Sequence, residues 1–144
     1  MKSRFLVFVQ FLSIFLMILP LGTQTSEYTP TGLIFIFLGV TIGVLAINKN
    51  NLGNFNIRSD IKDDCTLITS GIYKYIRHPM YTSVLVSMLG VLLIYINIYE
   101  IVIYGVLLLN MLVKMFYEES LWLCESQEYK EYTKNTKRLI PYIF

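Results

Sequence analysis

The chain holds a single histidine, His78, within the run Ser-Gly-Ile-Tyr-Lys-Tyr-Ile-Arg-His-Pro-Met-Tyr of residues 70–81. Pro79 fixes its own φ and lacks an amide hydrogen, so it suits the first turn of a helix. The residue before a proline is pushed out of helical geometry, which predicts His78 just outside that helix. Arg77 and His78 are then presented at a helix N-terminus, beside unpaired backbone amides that favour anions. Tyr73 and Tyr81 flank them with aromatic faces, which suit a cation. Further along stand Glu118 and Glu119. A cation, a helix N-terminus, carboxylates and tyrosines together suit a zwitterionic, aromatic ligand. Plainer roles exist for each: Arg77 and His78 as an interfacial helix anchor, the tyrosines as an aromatic belt, and the acids as a solvated helix end.

The elements that must position these residues are apolar. Of the 144 residues 55% are hydrophobic and only 15% are charged, and the apolar residues come in long blocks, as in a membrane protein. The length predicts one domain over residues 1–144. Residues 5–21 form the first block, and residues 33–47 the second. With Lys2 and Arg4 in front of it, the first block also has the look of a signal peptide, although no small-residue cleavage site follows. Gly32, Gly39 and Gly43 are spaced to allow close helix packing. Residues 48–78 are the long connection. Residues 79–117 are too long for one crossing of a hydrocarbon core about 30 Å thick, so they must fold back at the polar break 97–100. Two linked helices follow, near 79–96 and 101–117, and then a surface helix over 118–132. This hairpin brings Arg77 and His78 to the same membrane depth as Glu118 and Glu119. Acids at a helix C-terminus oppose the helix dipole, so the pair is placed there against local preference.

Basic residues set the orientation. Lys2 and Arg4 precede the first helix; Lys49, Arg58, Lys62, Lys74 and Arg77 lie in the long connection; Lys114, Lys130, Lys134, Lys137 and Arg138 lie toward the C-terminus. The turns at 23–30 and 97–100 have none. The positive-inside rule then predicts an all-α, multi-pass protein of the cell membrane, with four transmembrane helices, both termini cytoplasmic and a C-terminal cytoplasmic amphipathic helix. A net charge of +2 gives no reason to expect a nucleic-acid partner. Cys65 and Cys124 stand far apart with no second histidine, so no metal is expected and both read as free thiols.

The motif residues Gly71-Ile72-Tyr73, Arg77-His78-Pro79-Met80-Tyr81, Glu118-Glu119, Tyr129, Tyr132 and Arg138-Leu139-Ile140-Pro141 resemble the isoprenylcysteine carboxyl methyltransferase family. Phospholipid N-methyltransferases resemble the same pattern. The similarity runs from about residue 48 to the C-terminus. It implies an integral membrane enzyme that uses S-adenosylmethionine on a lipophilic small-molecule, lipid or lipidated acceptor. By the same resemblance the backbone of Cys65, Thr66, Leu67 and Ile68 lines the cofactor, together with Tyr73, His78, Pro79, Met80, Tyr81 and Glu118. Lys114 stands where the family often has a substrate-contacting arginine, and Glu119 joins it on the acceptor side. Arg77 and His78 take the catalytic roles; with an amine acceptor, His78 is the ordinary base near neutral pH. Ser83 stands where a glycine is usual. Two other readings stay open on residues alone: a membrane reductase using a nicotinamide cofactor, which lacks a glycine-rich fingerprint here, and a non-catalytic membrane interaction protein.

Overall fold

The computed structural model describes residues 2–19, 25–50 and 67–144. Among them the protein is all-helical, with one isolated parallel bridge between Ile76 and Lys137 and no strand. Five helices follow in order: α1 (Lys2–Ile18), α2 (Thr29–Lys49), α3 (Pro79–Ile94), α4 (Ile98–Glu125) and α5 (Gln127–Asn135). A single 3₁₀ turn, Gly71–Lys74, precedes α3. Two helices, α2 and α4, are long and apolar enough to cross a membrane; α1 and α3 are shorter apolar helices. Phe5, Phe8, Phe11 and Phe15 of α1 and Leu33, Ile34 and Phe37 of α2 are exposed. Apolar faces turned outward in this way suit a lipid solvent rather than water.

Helices α2 and α3 run antiparallel in close contact, because both present small residues to the seam. A Cβ added to Gly32 would lie 2.6 Å from the Gly90 carbonyl, and one added to Gly43 would lie 2.6 Å from Ser83 Oγ. Ser83 lies opposite Gly39 and Gly43, and its hydroxyl donates to the Gly39 carbonyl at 2.7 Å. The serine found where the family usually has glycine is thus met by glycines on the neighbouring helix. At the far end, the Ser26 amide donates to the Ile94 carbonyl at 2.8 Å, which ties the start of α2 to the end of α3.

A three-residue turn, 95–97, separates α3 from α4, and the Asn97 side chain caps α4 by accepting from the Glu100 amide at 3.0 Å. Glu100, expected in the turn, is therefore already helical. The sequence reading also ended the fourth helix near Tyr117 and began a separate surface helix at Glu118. Instead α4 runs unbroken for 28 residues, about 42 Å, to Glu125. No proline or glycine follows Gly105 in this stretch, so nothing in the backbone stops the helix until Ser126. Ser126 then caps α5 through its hydroxyl, which accepts from the Tyr129 amide at 3.1 Å. The argument that Glu118 and Glu119 oppose a helix terminus falls with this, because the pair lies about two turns inside α4.

The buried core is Met17, Leu85, Leu107, Met111, Met115 and Leu139, drawn from α1, α3, α4 and the C-terminal segment. Beyond α5 the chain lies against the start of α3. The Arg77 amide donates to the Lys137 carbonyl at 2.8 Å, the His78 amide to Arg138 at 3.0 Å, and the Thr82 hydroxyl to Leu139 at 2.9 Å.

Candidate active site

His78 occupies the N-cap of α3 at φ −120° and ψ 57°, with Pro79 as the first helical residue. This is the placement that the His-Pro pair predicts. The expected free amides are another matter. In the first turn of α3 the Tyr81 and Thr82 amides donate to the His78 carbonyl, and the amides of Arg77 and His78 themselves are engaged by carbonyls of the C-terminal segment. The charge in the site comes from side chains instead.

Glu119 of α4 is the hub. Its carboxylate accepts from Arg77 Nε at 2.9 Å and from Arg138 Nε at 2.8 Å, and it lies 3.3 Å from His78 Nε2. Only 5% of its side chain is exposed. Arg77 also donates to the Thr136 and Thr133 carbonyls, so one buried guanidinium pins α3, α4 and the end of α5 together. A buried carboxylate shared by two guanidiniums is stable only because the fixed donors replace water.

Glu118, one residue earlier, looks elsewhere. It accepts from the Tyr81 hydroxyl at 2.6 Å and lies 3.9 Å from His78 Nδ1. The His78 and Tyr81 rings are stacked, 5.4 Å between centroids and within 5° of parallel. Lys114, one turn before Glu118, places its ammonium 5.2 Å from the centre of the Tyr81 ring. Arg77, His78, Tyr81, Lys114, Glu118 and Glu119, all singled out in the sequence, are thus brought into one cluster between α3 and α4.

The other expected residues lie around it. Pro79 is buried, and Met80 is half-buried in the first turn of α3. Tyr73 is buried in the 3₁₀ turn, hydrogen-bonded to the Asn50 side chain and accepting at its carbonyl from the Tyr132 hydroxyl. Leu67 and Ile68 are half-buried in an irregular segment leading to it. Cys65 and Thr66 lie outside the described residues. Gly71 adopts φ +63°, a conformation side chains rarely tolerate, and lets the 3₁₀ turn pack on the Lys49 side chain. Beside the cluster, Trp122 stacks on Tyr129 at 5.6 Å and Tyr129 meets Tyr132 edge-on at 5.9 Å. Burial pushes the Tyr73, Tyr129 and Tyr132 phenols above the usual tyrosine range, so all three remain neutral.

Sequence reasoning gave no role to Arg138, Thr136, Gln10 or Asn110. Arg138 was visible only as part of the closing motif. Gln10 and Asn110 were visible as isolated polar residues in apolar blocks, which in a membrane helix is itself a signal. Glu100 is a different case. It is fully buried with neither carboxylate oxygen hydrogen-bonded, but it lies about 27 Å along α4 from Glu118, outside this cluster. Among the described residues no group of acidic, histidine and cysteine side chains could hold a metal ion.

The chain is similar to the probable protein-S-isoprenylcysteine O-methyltransferases of Oryza sativa subsp. indica and subsp. japonica, 28% identical over 115 residues in each case. Those alignments cover 78% of this chain but 60% of the rice proteins, so the chain spans less than two thirds of their length. Its fold is similar to that of a eukaryotic intramembrane Ras methyltransferase, isoprenylcysteine carboxyl methyltransferase. There the TM-score is 0.64 with 28% identity, over 80% of this chain and 42% of that one. The family model for phospholipid methyltransferases matches residues 8–126, which takes in most of α1, all of α2 to α4 and the cluster residues from Arg77 to Glu119. With most of its length inside that match, the chain belongs to the phospholipid methyltransferase family.

Proposed function

We propose that this chain is an integral membrane methyltransferase that uses S-adenosylmethionine and acts on a lipophilic acceptor ending in a carboxylate. One observation carries the reading: the His78–Tyr81 stack at the start of α3 meets Glu118 and Lys114 of α4, in a helix pair with apolar outer faces. The donor set fits the cofactor. Glu118 matches an ammonium, the Tyr81 and Tyr73 faces match a sulfonium, and Arg138, 35% exposed, offers a guanidinium to a carboxylate. As the family resemblance implies, we assign the backbone of Leu67 and Ile68 to the cofactor as well. S-adenosylmethionine supplies an electrophilic methyl group when bound; the protein's part is to hold the acceptor in line and exclude water.

Charge favours a carboxylate acceptor. Glu119 is shared by Arg77 and Arg138, and Glu118 faces Tyr81, His78 and Lys114, so three basic side chains (Arg77, Arg138 and Lys114) meet two carboxylates. An anion is welcome there, and a carboxylate needs no base. The relatives' names, O-methyltransferases of isoprenylcysteine, support the same class. The family's printed description, phospholipid methyltransferase, supports an amine acceptor as second reading, with His78 as base.

The membrane reading is of one domain with four crossings, α1 to α4, both termini and the 50–78 connection on the cytoplasmic side. Reporter fusions after Glu27 and Asn97 should read outside, and fusions after Asp63 and Phe144 inside; a cytoplasmic signal at Glu27 overturns it. For the activity, isothermal titration of purified protein with S-adenosylhomocysteine, with NADPH as control, is the first measurement. Transfer of a labelled methyl group to N-acetyl-S-farnesylcysteine or to phosphatidylethanolamine vesicles then separates the two acceptors. His78→Ala should weaken S-adenosylhomocysteine binding roughly tenfold to a hundredfold while the protein stays folded, from loss of a hydrogen bond worth about 1–3 kcal/mol. No binding by the wild type, or undiminished binding and turnover by His78→Ala, overturns the site.

A further inference from the structure

Helix α1 reaches the cluster through one side chain. Gln10 Oε1 accepts from Lys114 Nζ at 3.1 Å, and both residues are buried, at 9% and 2% exposure. Nearby on the same two helices, Asn110 Nδ2 donates to the Leu6 carbonyl at 3.0 Å, and Ser13 of α1 is buried as well. Such a polar seam is a costly way to pack two apolar helices, since leucine would fill the space without desolvating an ammonium. A glutamine is also a particular choice of partner. Its carbonyl orients the ammonium and leaves Glu118, one turn further along α4, as the carboxylate that faces it, whereas a second carboxylate would overcompensate the charge.

We propose that Gln10 is a positioning residue for the acceptor: it holds the Lys114 ammonium over the Tyr81 ring, charged and aimed at the acceptor carboxylate. This rests on the reading of the chain as a methyltransferase with a carboxylate acceptor. It makes α1 a working part of the site, with Lys114 where the acceptor meets the cofactor side formed by His78, Tyr81 and Glu118.

The test uses the full chain in lipid nanodiscs, with N-acetyl-S-farnesylcysteine as acceptor. Gln10→Leu should raise the acceptor KM roughly tenfold, the loss expected for one hydrogen bond to a charged group, while the KM for S-adenosylmethionine stays within about twofold. Gln10→Glu keeps the oxygen but overcompensates the charge, and should raise the acceptor KM further still. An unchanged acceptor KM in Gln10→Leu overturns the proposal. So does a parallel rise in both KM values with a fall in thermal stability, which would make the seam mere packing. Should the wild type neither bind S-adenosylhomocysteine nor transfer a methyl group, the methyltransferase reading fails by itself. The positioning role is then judged by direct titration of N-acetyl-S-farnesylcysteine, where equal affinity of wild type and Gln10→Leu overturns it.

Discussion

Helix α3 is gripped on two sides by unlike means. Toward α2 the contact is steric: Gly32, Gly39, Gly43 and Gly90 let the backbones approach, and Ser83 supplies one hydrogen bond. Toward α4 and the C-terminal segment the apolar core around Leu85 is joined, at the start of α3, by an ionic and aromatic contact through Arg77, His78, Tyr81, Glu118, Glu119 and Arg138. In lipid there is little hydrophobic force between helices, so a seam of small residues is the inexpensive way to join two of them. The second seam desolvates several charges and is a poor device for stability alone. The contrast separates a side of α3 that only packs from the side that carries the proposed site. It also divides the ionic side itself, since Glu119 is consumed by holding the fold while Glu118 faces the stacked rings.

Breaking the ionic seam at its hub should have the largest effect. Glu119→Gln leaves the Arg77 and Arg138 guanidiniums short of their shared countercharge and should destabilise the protein by about 3–5 kcal/mol, read as a lower thermal midpoint in detergent. An unchanged midpoint would mean that Glu119 does not hold the fold. Next is the steric seam. A Cβ at Gly39 already lies 2.6 Å from the Ser87 amide nitrogen, so Gly39→Val should cost about 1–3 kcal/mol or more by forcing the helices apart. Gly105→Ala, where nothing lies within 4 Å, is the control and should be neutral or gain up to about 1 kcal/mol of helix propensity. Equal losses at both glycines would remove the case for a packed seam. The smallest effect on stability, and the sharpest on function, is expected of Glu118→Gln. It should leave the thermal midpoint near that of the wild type while weakening S-adenosylhomocysteine binding roughly tenfold to a hundredfold. If Glu119→Gln, still folded at low temperature, loses more affinity than Glu118→Gln, the division between the two carboxylates is wrong.

Much of this was legible in the chain itself. The apolar blocks, the His78-Pro79 break, the Gly32–Gly39–Gly43 spacing and the folding back near Asn97 all rest on local rules of backbone and periodicity, and local rules are readable one residue at a time. The pairing of the 77–81 turn with the 114–119 stretch also followed, because a short hairpin leaves its two free ends at one depth. The end of α4 did not follow. Hydropathy falls at Glu118, which by itself predicts a helix end, yet the backbone has no reason to stop before Ser126. In α4 the polar residues mark burial against charged partners rather than exit into water.

Residue types and spacing alone therefore determined that this is a helical membrane protein with a histidine held at a helix start opposite two acids. Only the tertiary structure decided which acid meets which partner, and which distant residues join the cluster. Glu118 and Glu119 are adjacent and chemically near-identical, so no sequence rule separates them. They differ because consecutive helix positions point about 100° apart. One meets Tyr81, and the other meets two arginines, one from the start of α3 and one from a segment 19 residues further along the chain. Gln10 is 104 residues from Lys114, and their contact exists only because α1 packs along α4. Long-range pairings of this kind depend on how whole helix faces dock, and that is information no local stretch carries.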